Sequence, residues 1–324
     1  MGDVISIELW KLALPIDLEF RGRSQYIAAC LLTSQKEIAI LDPGPSSTLD
    51  LLRRKLTDVG VSISDITTIL LTHIHLDHAG ATGTLVAENP RIQVFVHERG
   101  ASHLVDPTRL LESASRVFGA KRDEYWGPIE AVPTENLHVL RGGEQIGLGS
   151  RKFDVLYTPG HANHHVSYFE PGSGIAFVGD ALGIRTNDSF VYPATPPPDI
   201  DLRRLNASAD LIESCKPKRL FLTHFGLMGE VEWHLADFRG RLARWSEFVR
   251  QSLEEPGDDE GRARLFSEMA GAEAASILKD SEAQWFKNSV SSRQNWYGLA
   301  RYWRRLEASM AKDSVTREQS GLII

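Results

Sequence analysis

Three histidines and an aspartate fall within six residues of this chain, in the segment Thr72-His73-Ile74-His75-Leu76-Asp77-His78. A run of apolar and β-branched residues comes directly before the segment and is typical of a buried strand. Side chains alternate between faces along an extended chain, so His73 and His75 point the same way and can hold one metal ion. Asp77 and His78 are adjacent, and both reach a second ion only if the backbone turns. Four ligand-type side chains at this spacing predict a metal site.

Three further ligand-type residues stand where predicted strands stop. His161 follows a strand and a Pro-Gly turn, Asp180 ends the second strand of a hairpin, and His224 ends a later strand. Together with the first segment they make five histidines and two aspartates, a set that suits two divalent metal ions. Nitrogen and oxygen ligands fit zinc best, and iron or manganese is feasible because these metals also bind imidazole.

The elements that must position these residues follow a β-α-β-α-β order through the first hundred residues, beginning with a strand expected at residues 4 to 12. This order predicts an α/β layered domain. A weak internal repeat supports it, because Ile69 to His73 is echoed by Leu220 to His224, and Ile38 to Asp42 by Ile175 to Asp180. Two similar units packed face to face would bring both Thr-His pairs to a common edge.

The chain divides into two predicted parts. Residues 1–229 carry the strand signals, with an insertion at about 98–135 that we expect beside the site. The insertion contains a predicted helix around Arg109 to Phe118 and an aromatic turn at Tyr125 and Trp126. From residue 230 to 324 apolar residues follow helical spacing, which predicts a helical C-terminal region.

Composition narrows the class of protein. The chain has 324 residues, 42% of them hydrophobic, and a formal net charge of -7 without a long basic run. We therefore expect a small-molecule substrate and neither a nucleic-acid nor a membrane partner, and we leave a homodimer open. The first residues show no basic region followed by an apolar one, and the two cysteines are too few for a disulfide framework, so we expect a cytoplasmic location.

The ordered series of motifs resembles that of the metallo-β-lactamase-fold hydrolases. The series consists of the first segment, Thr158-Pro159-Gly160-His161, Gly179-Asp180 and Thr223-His224. It is most similar to the branch that contains glyoxalase II and lactonases, and it covers roughly residues 4 to 228. The resemblance implies a four-layered αβ/βα sandwich with the site at one edge, to which this chain adds a C-terminal helical appendage.

The resemblance also implies a role for each ligand. His73, His75 and His161 would hold a first metal ion, Asp77, His78 and His224 a second, and Asp180 would bridge the two. Asp42 corresponds to a strand-end aspartate that supports the metal loop, and His165 to a residue behind the ligands. The family has glycine where this chain has His164, so the local loop should differ.

A mechanism follows as a hypothesis. A metal-bound hydroxide would attack an ester, thioester or lactone, while Asp77 and Asp180 orient it and pass a proton to the leaving group. Two alternatives stay open: an iron-dependent oxidoreductase similar to the persulfide dioxygenases, and a phosphodiesterase of the same fold. Metal analysis distinguishes the iron-dependent oxidoreductase from the hydrolase, since two zinc ions per chain favour hydrolysis.

Overall fold

Two six-stranded mixed sheets pack face to face between layers of helices in the computed structural model of this protein, which describes residues 13–279 and 290–320. This arrangement, together with helices that follow the second sheet, confirms the predicted αβ/βα sandwich with a C-terminal helical appendage. The strand expected at residues 4 to 12 lies outside the described residues.

The first sheet has its strands in chain order, with three antiparallel strands followed by parallel pairing from the third to the sixth. Its strands are β1 Leu14–Asp17, β2 Ala28–Ser34, β3 Glu37–Leu41, β4 Thr68–Leu70, β5 Gln93–His97 and β6 Leu137–Leu140. Its helices are α1 Leu49–Asp58, α2 Leu76–Ala79, α3 Thr82–Glu88, α4 Glu98–Val105, α5 Thr108–Phe118 and α6 Arg122–Trp126.

The second sheet is antiparallel except for one pair, β10 and β11, which are joined through helix α7. Its elements are β7 Gln145–Leu148, β8 Arg151–Tyr157, β9 Val166–Glu170, β10 Ile175–Phe177, α7 Leu202–Ser214, β11 Arg219–Leu222 and β12 Gly226–Met228. The pair β10–β11 in this sheet matches β3–β4 in the first, and each pair has a crossover helix. These are the two units that the internal repeat predicts.

Alternating residues of the central strands fill two different layers. Leu41 and Leu70 lie between the sheets with Phe177, whereas Ile40 and Ile69 face the helices on the outer side. Because both faces of these parallel strands are covered, their sequences are almost continuously apolar. The burial on both faces holds the strand ends, and therefore the loops that follow them, in place.

Local details differ from the sequence-based prediction at two places. The sequence predicts one helix from about Ala79 to Glu88. The structure has the single turn α2 followed by α3, so the helical backbone begins three residues earlier and already includes Asp77 and His78. The aromatic turn expected at Tyr125 and Trp126 is the short helix α6, which buries both rings against the apolar core.

Three helices complete the described chain: α8 Val231–Glu254, α9 Asp259–Ile277 and α10 Val290–Ser320. Trp245, Phe266 and Trp296 form an apolar cluster with Ile184 and Tyr192, which belong to the irregular segment after β10. The C-terminal helices therefore pack on a loop of the sandwich, and the boundary at residue 230 stays a prediction. None of the helices in the described ranges is both long and apolar enough to cross a membrane.

The contact between α8 and the sandwich should make stability depend on pH through His234. Burial lowers the pKa of His234 from 6.5 to about 4, and its Nε2 hydrogen donates to the carbonyl of Leu182 at 3.0 Å. The imidazole of His234 takes up its second proton near pH 6.5 in the unfolded chain and only near pH 4 in the folded chain. The stability of the fold therefore decreases as the pH drops through this window. Between pH 7 and pH 5 the loss from this residue should be about 2 kcal/mol.

Urea unfolding of the wild type and of His234→Gln, at both pH values, measures this loss. Glutamine keeps a donor for Leu182 but does not titrate, so the difference between the two proteins removes the contribution of the other histidines. An identical pH dependence of the two free energies of unfolding would contradict the assignment.

Candidate metal centre

The seven predicted ligands lie together at one edge of the sandwich. His73 and His75 follow β4, and Asp77 and His78 lie in helix α2, directly after them. The other three come from the second sheet, after β8, β10 and β11: His161, Asp180 and His224. The carboxyl ends of parallel strands meet at the same edge of a sheet, so two facing sheets bring their strand-end loops into contact.

The first group of ligand atoms consists of three imidazole nitrogens. His75 Nδ1 lies 2.9 Å from His73 Nε2 and 3.0 Å from His161 Nε2. His73 and His161 are buried, and His75 is half-buried. Three nitrogens that converge in this way are suited to a single metal ion such as zinc.

The second group combines two imidazoles with carboxylates. His224 Nε2 lies 3.4 Å from Asp77 Oδ2, and His78 Nε2 lies 3.8 Å from the same oxygen. Asp180 stands between the two groups, because its Oδ1 is 3.3 Å from His78 Nε2 and its Oδ2 is 3.5 Å from His161 Nε2. One oxygen of Asp180 therefore faces each group.

Hydrogen bonds behind three of the histidines determine which ring nitrogen carries the hydrogen. His161 Nδ1 lies 2.9 Å from the carbonyl of Ala194, and His224 Nδ1 lies 2.7 Å from the carbonyl of Tyr26. His78 Nδ1 is 2.8 Å from the carboxylate of Asp42. All three partners accept only, so each Nδ1 must carry the hydrogen and each Nε2 presents a lone pair to the centre.

The carboxylate of Asp42 is the common partner of both sheets at this edge. It accepts from the backbone N–H and the hydroxyl of Thr72, at 2.8 and 2.7 Å, and from the hydroxyl of Thr223 at 2.7 Å. Since the Thr72 hydroxyl donates to Asp42, it accepts from His73 Nδ1 at 3.1 Å, which leaves the Nε2 of His73 free to bind a metal. Asp42 adopts a positive φ of 49°, a conformation that aspartate tolerates better than most residues.

His165 lies behind the centre with both ring nitrogens occupied. Its Nε2 accepts from the backbone N–H of Asp180 at 3.3 Å, and its Nδ1 donates to the hydroxyl of Thr158 at 2.9 Å. Gly179 makes this approach feasible, because a Cβ at that position would lie 2.8 Å from His165 Nε2 and 2.6 Å from the Thr72 hydroxyl. His164 accepts a hydrogen bond of 3.4 Å from the backbone N–H of Ile74, so it packs against the first ligand loop.

Burial and charge divide the ligands into neutral and charged groups. Burial lowers the pKa of His75 to about 3, and burial with neighbouring imidazoles holds the pKa of His73 well below its usual range. Burial opposes the charge of His78 as well, but Asp180 and Asp77 raise its pKa well above the ordinary value. Burial likewise disfavours ionised Asp77, yet His78 and His224 lower its pKa to about 2. The carboxylates of the site therefore favour positive charge at its middle, which either a proton on His78 or a metal ion bound to its Nε2 can supply.

Two buried atoms at the middle of the centre lack a hydrogen bond. They are His78 Nε2 and Asp180 Oδ1, 3.3 Å apart. Buried polar atoms without a partner are costly, and they often mark the position of an ion. A divalent cation accepts a lone pair from both atoms, so the donor set and the unsatisfied atoms fit a metal centre.

A cavity of about 550 Å³ opens onto the two groups of ligands. His75, Asp77, Asp180 and His224 lie on its floor, and the predicted insertion forms much of its wall. The apolar wall residues include Phe20, Leu110, Val117, Phe118, Tyr125 and Trp126. Phe20 and Trp126 stack at 5.2 Å between ring centroids, and Arg21 lies over the ring of Tyr125.

Sequence reasoning missed the parts of the site that are made of backbone. The carbonyls of Tyr26 and Ala194 orient two ligands, and no residue type is required for a backbone acceptor. The Thr-His repeat held a signal for Thr72 and Thr223, whose hydroxyls both bond Asp42. Four histidines stand apart from the motifs in the sequence, and within the described residues none of them joins a cluster of possible metal ligands: His97, His103, His138 and His234.

Comparison with known proteins identifies the family. The model of the metallo-beta-lactamase superfamily matches residues 25–224. The protein ST1585 of Sulfurisphaera tokodaii, a metallo-beta-lactamase fold-containing protein, is 32% identical over 172 residues, which are 52% of this chain and 64% of that protein. A hydroxyacylglutathione hydrolase of Legionella pneumophila is 30% identical over 115 residues, 36% of this chain and 33% of the enzyme. The chain thus spans less than two thirds of either relative.

Solved structures agree on the fold. The metallo-beta-lactamase family protein TTHA1429 of Thermus thermophilus superposes with a TM-score of 0.66 at 22% identity, over 91% of this chain and 93% of that one. ST1585 superposes with a TM-score of 0.60 at 23% identity, over 89% and 98% of the two chains. The family model, the fold and the ligand-rich strand ends agree, and the chain belongs to the metallo-beta-lactamase superfamily.

Proposed function

We propose that this protein is a hydrolase that uses two divalent metal ions to cleave an ester, a thioester or a lactone. The observation that carries the proposal is Asp180, whose two oxygens face two separate groups of ligands on the floor of an open cavity. His73, His75 and His161 would hold the first ion, and Asp77, His78 and His224 the second. The superfamily consists mainly of metal-dependent hydrolases, which supports this reaction class.

Bound ions would supply Lewis acidity, which lowers the pKa of a water molecule and polarises a scissile carbonyl. The residues of the chain provide the remaining functions. Asp77 is the more exposed of the two carboxylates, with 24% of its side chain accessible against 6% for Asp180. Asp77 can therefore accept a proton from an attacking water and return it to a leaving group, while Asp180 holds the two halves of the centre together.

The lining of the cavity supports a substrate with an apolar part. Its wall is mainly aromatic and aliphatic, so a substrate with an apolar part gains by leaving water. Zinc is our first choice of metal because every ligand is an imidazole or a carboxylate. Iron remains the alternative, and elemental analysis of the purified protein distinguishes the two.

Replacing the shared carboxylate should impair both metal sites at once. We expect Asp180→Asn to lower the metal content from two ions per chain and to slow hydrolysis by more than about 100-fold, since even outer-shell changes cost about 10- to 100-fold. Elemental analysis by mass spectrometry and initial rates on a panel of esters, thioesters and lactones measure the two effects.

The exposed helix residue Asp50 supplies a matched control. Asp50→Asn removes the same charge from a side chain that is 85% accessible, so both the metal content and the rates should equal those of the wild type. If Asp180→Asn keeps two ions and full activity, Asp180 is not the shared ligand.

The bonds of Asp42 should be needed for metal affinity although Asp42 touches no metal. The Asp42→Asn variant replaces the carboxylate by an amide, which offers one weaker acceptor and one donor to the four groups that donate to Asp42. Metal affinity should therefore fall by about 10- to 100-fold. Competition with a chromophoric chelator measures it. Thr223→Val removes only one of the four bonds and should cost less. Equal affinities in Asp42→Asn and the wild type would contradict this role.

A further inference from the structure

A groove of about 530 Å³ adjoins the cavity of the metal centre. Helix α10 forms most of it, and the loop after β10 contributes one proline. Pro197 and Gln294 line both spaces, so the groove and the cavity share a wall. The groove therefore lies directly beside the cavity of the metal centre.

Among the described residues, the lining of the groove includes three arginines and no carboxylate. Arg301, Arg304 and Arg305 are spaced at i, i+3 and i+4 along α10, so they occupy the same face of the helix. This positive patch belongs to a chain whose formal net charge is -7. Asp259 pairs with Arg304, and the positive charge of the other two arginines favours an anion in the groove.

The three arginines differ in how many of their N–H donors already bond other residues. Arg304 donates two hydrogen bonds to Asp259, at 2.8 and 2.6 Å. Arg305 donates to the carbonyl of Pro198 at 3.3 Å and forms no ion pair with the residues that the structure describes. Arg301 is exposed and has no hydrogen bond or ion pair with the part of the chain that the structure describes. Arg301 and Arg305 therefore keep donors for a ligand.

A guanidinium presents a planar fork of N–H donors, which matches the oxygens of phosphate. We propose that the substrate is an acyl ester or thioester whose leaving group carries phosphate, with the acyl part in the apolar cavity and the phosphate at Arg301 and Arg305. This inference rests on the proposed hydrolase function and names its substrate class.

Hydrolysis breaks the bond from the acyl carbon to the leaving oxygen or sulfur and forms a bond to the oxygen of water. The leaving group takes one proton of that water, and the other is released from the acid.

Kinetics on matched substrates test the proposal. Octanoyl-coenzyme A and the octanoyl thioester of N-acetylcysteamine have the same acyl group and the same reacting bond, but only the first carries phosphate. We expect the double variant Arg301→Glu/Arg305→Glu to lower the ratio of kcat/KM for the first substrate to that for the second by about tenfold or more. Arg301→Gln, which leaves the contact to Pro198 intact, should lower the ratio by a smaller factor in the same direction.

Two controls separate the groove from other causes. Arg54→Glu reverses an exposed charge on α1, which lines neither space, so it should not change the ratio. S-octanoylglutathione carries carboxylates in place of phosphate, and its relative kcat/KM should respond less to the double variant than that of octanoyl-coenzyme A. An unchanged ratio in the double variant, or the same change in Arg54→Glu, overturns the proposal. An equal response of the glutathione thioester overturns the preference for phosphate.

Equilibrium binding of free coenzyme A, measured by calorimetry, does not depend on hydrolysis. If the wild type binds coenzyme A and the double variant binds it about tenfold more weakly, the phosphate site stands even where no thioester is cleaved. In that case only the proposed function fails. If the wild type hydrolyses both thioesters but does not bind coenzyme A, the proposed function stands and the phosphate site is wrong.

Discussion

The carboxylate of Asp42 accepts hydrogen bonds from four donors, which belong to Thr72 after β4, His78 in helix α2 and Thr223 after β11. A buried charge has lost its contact with water, so its stability depends on keeping all of these bonds. The sheets cannot slide past each other without breaking the bond to Thr223. Because Thr72 and Thr223 each precede a histidine of the centre, the same bonds also set the positions of His73 and His224. The geometry of the metal centre thus depends on an aspartate that touches no metal.

The C-terminal helices extend this support from the other side. The side chain of Asn295 on α10 accepts from the backbone N–H of Thr195 at 2.9 Å and donates to the carbonyl of Pro193 at 3.0 Å. Between these two residues lies Ala194, whose carbonyl orients His161. The appendage therefore holds a loop that in turn holds a ligand. Helix α10 also contributes to the wall of the cavity and forms most of the groove beside it, so it borders both spaces.

Much of the fold and of the ligand set could be predicted because the signals are local. Buried parallel strands are apolar on both faces, and polar side chains that interrupt such runs stand at strand ends. The Thr-His and Asp echoes then predicted that two similar units meet. Prediction was weaker where local preference does not decide the backbone. Helix α2 includes Asp77 and His78, and Trp126 lies in the short helix α6 with its ring stacked on Phe20. His164, in place of the family glycine, is accommodated through its bond to Ile74.

The sequence by itself determined the fold class, the family resemblance and the seven residues that the structure brings together, because each depends on residue types at short spacing. Only the tertiary structure decided how these residues are oriented and what surrounds them. Asp42 and Thr223 are 181 residues apart, and no local pattern relates them. The backbone carbonyls that orient His161 and His224 leave no trace in residue types. The apolar cavity and the arginine groove likewise arise where the insertion, the proline loop and α10 converge, since a surface formed by distant segments exists only after the chain has folded.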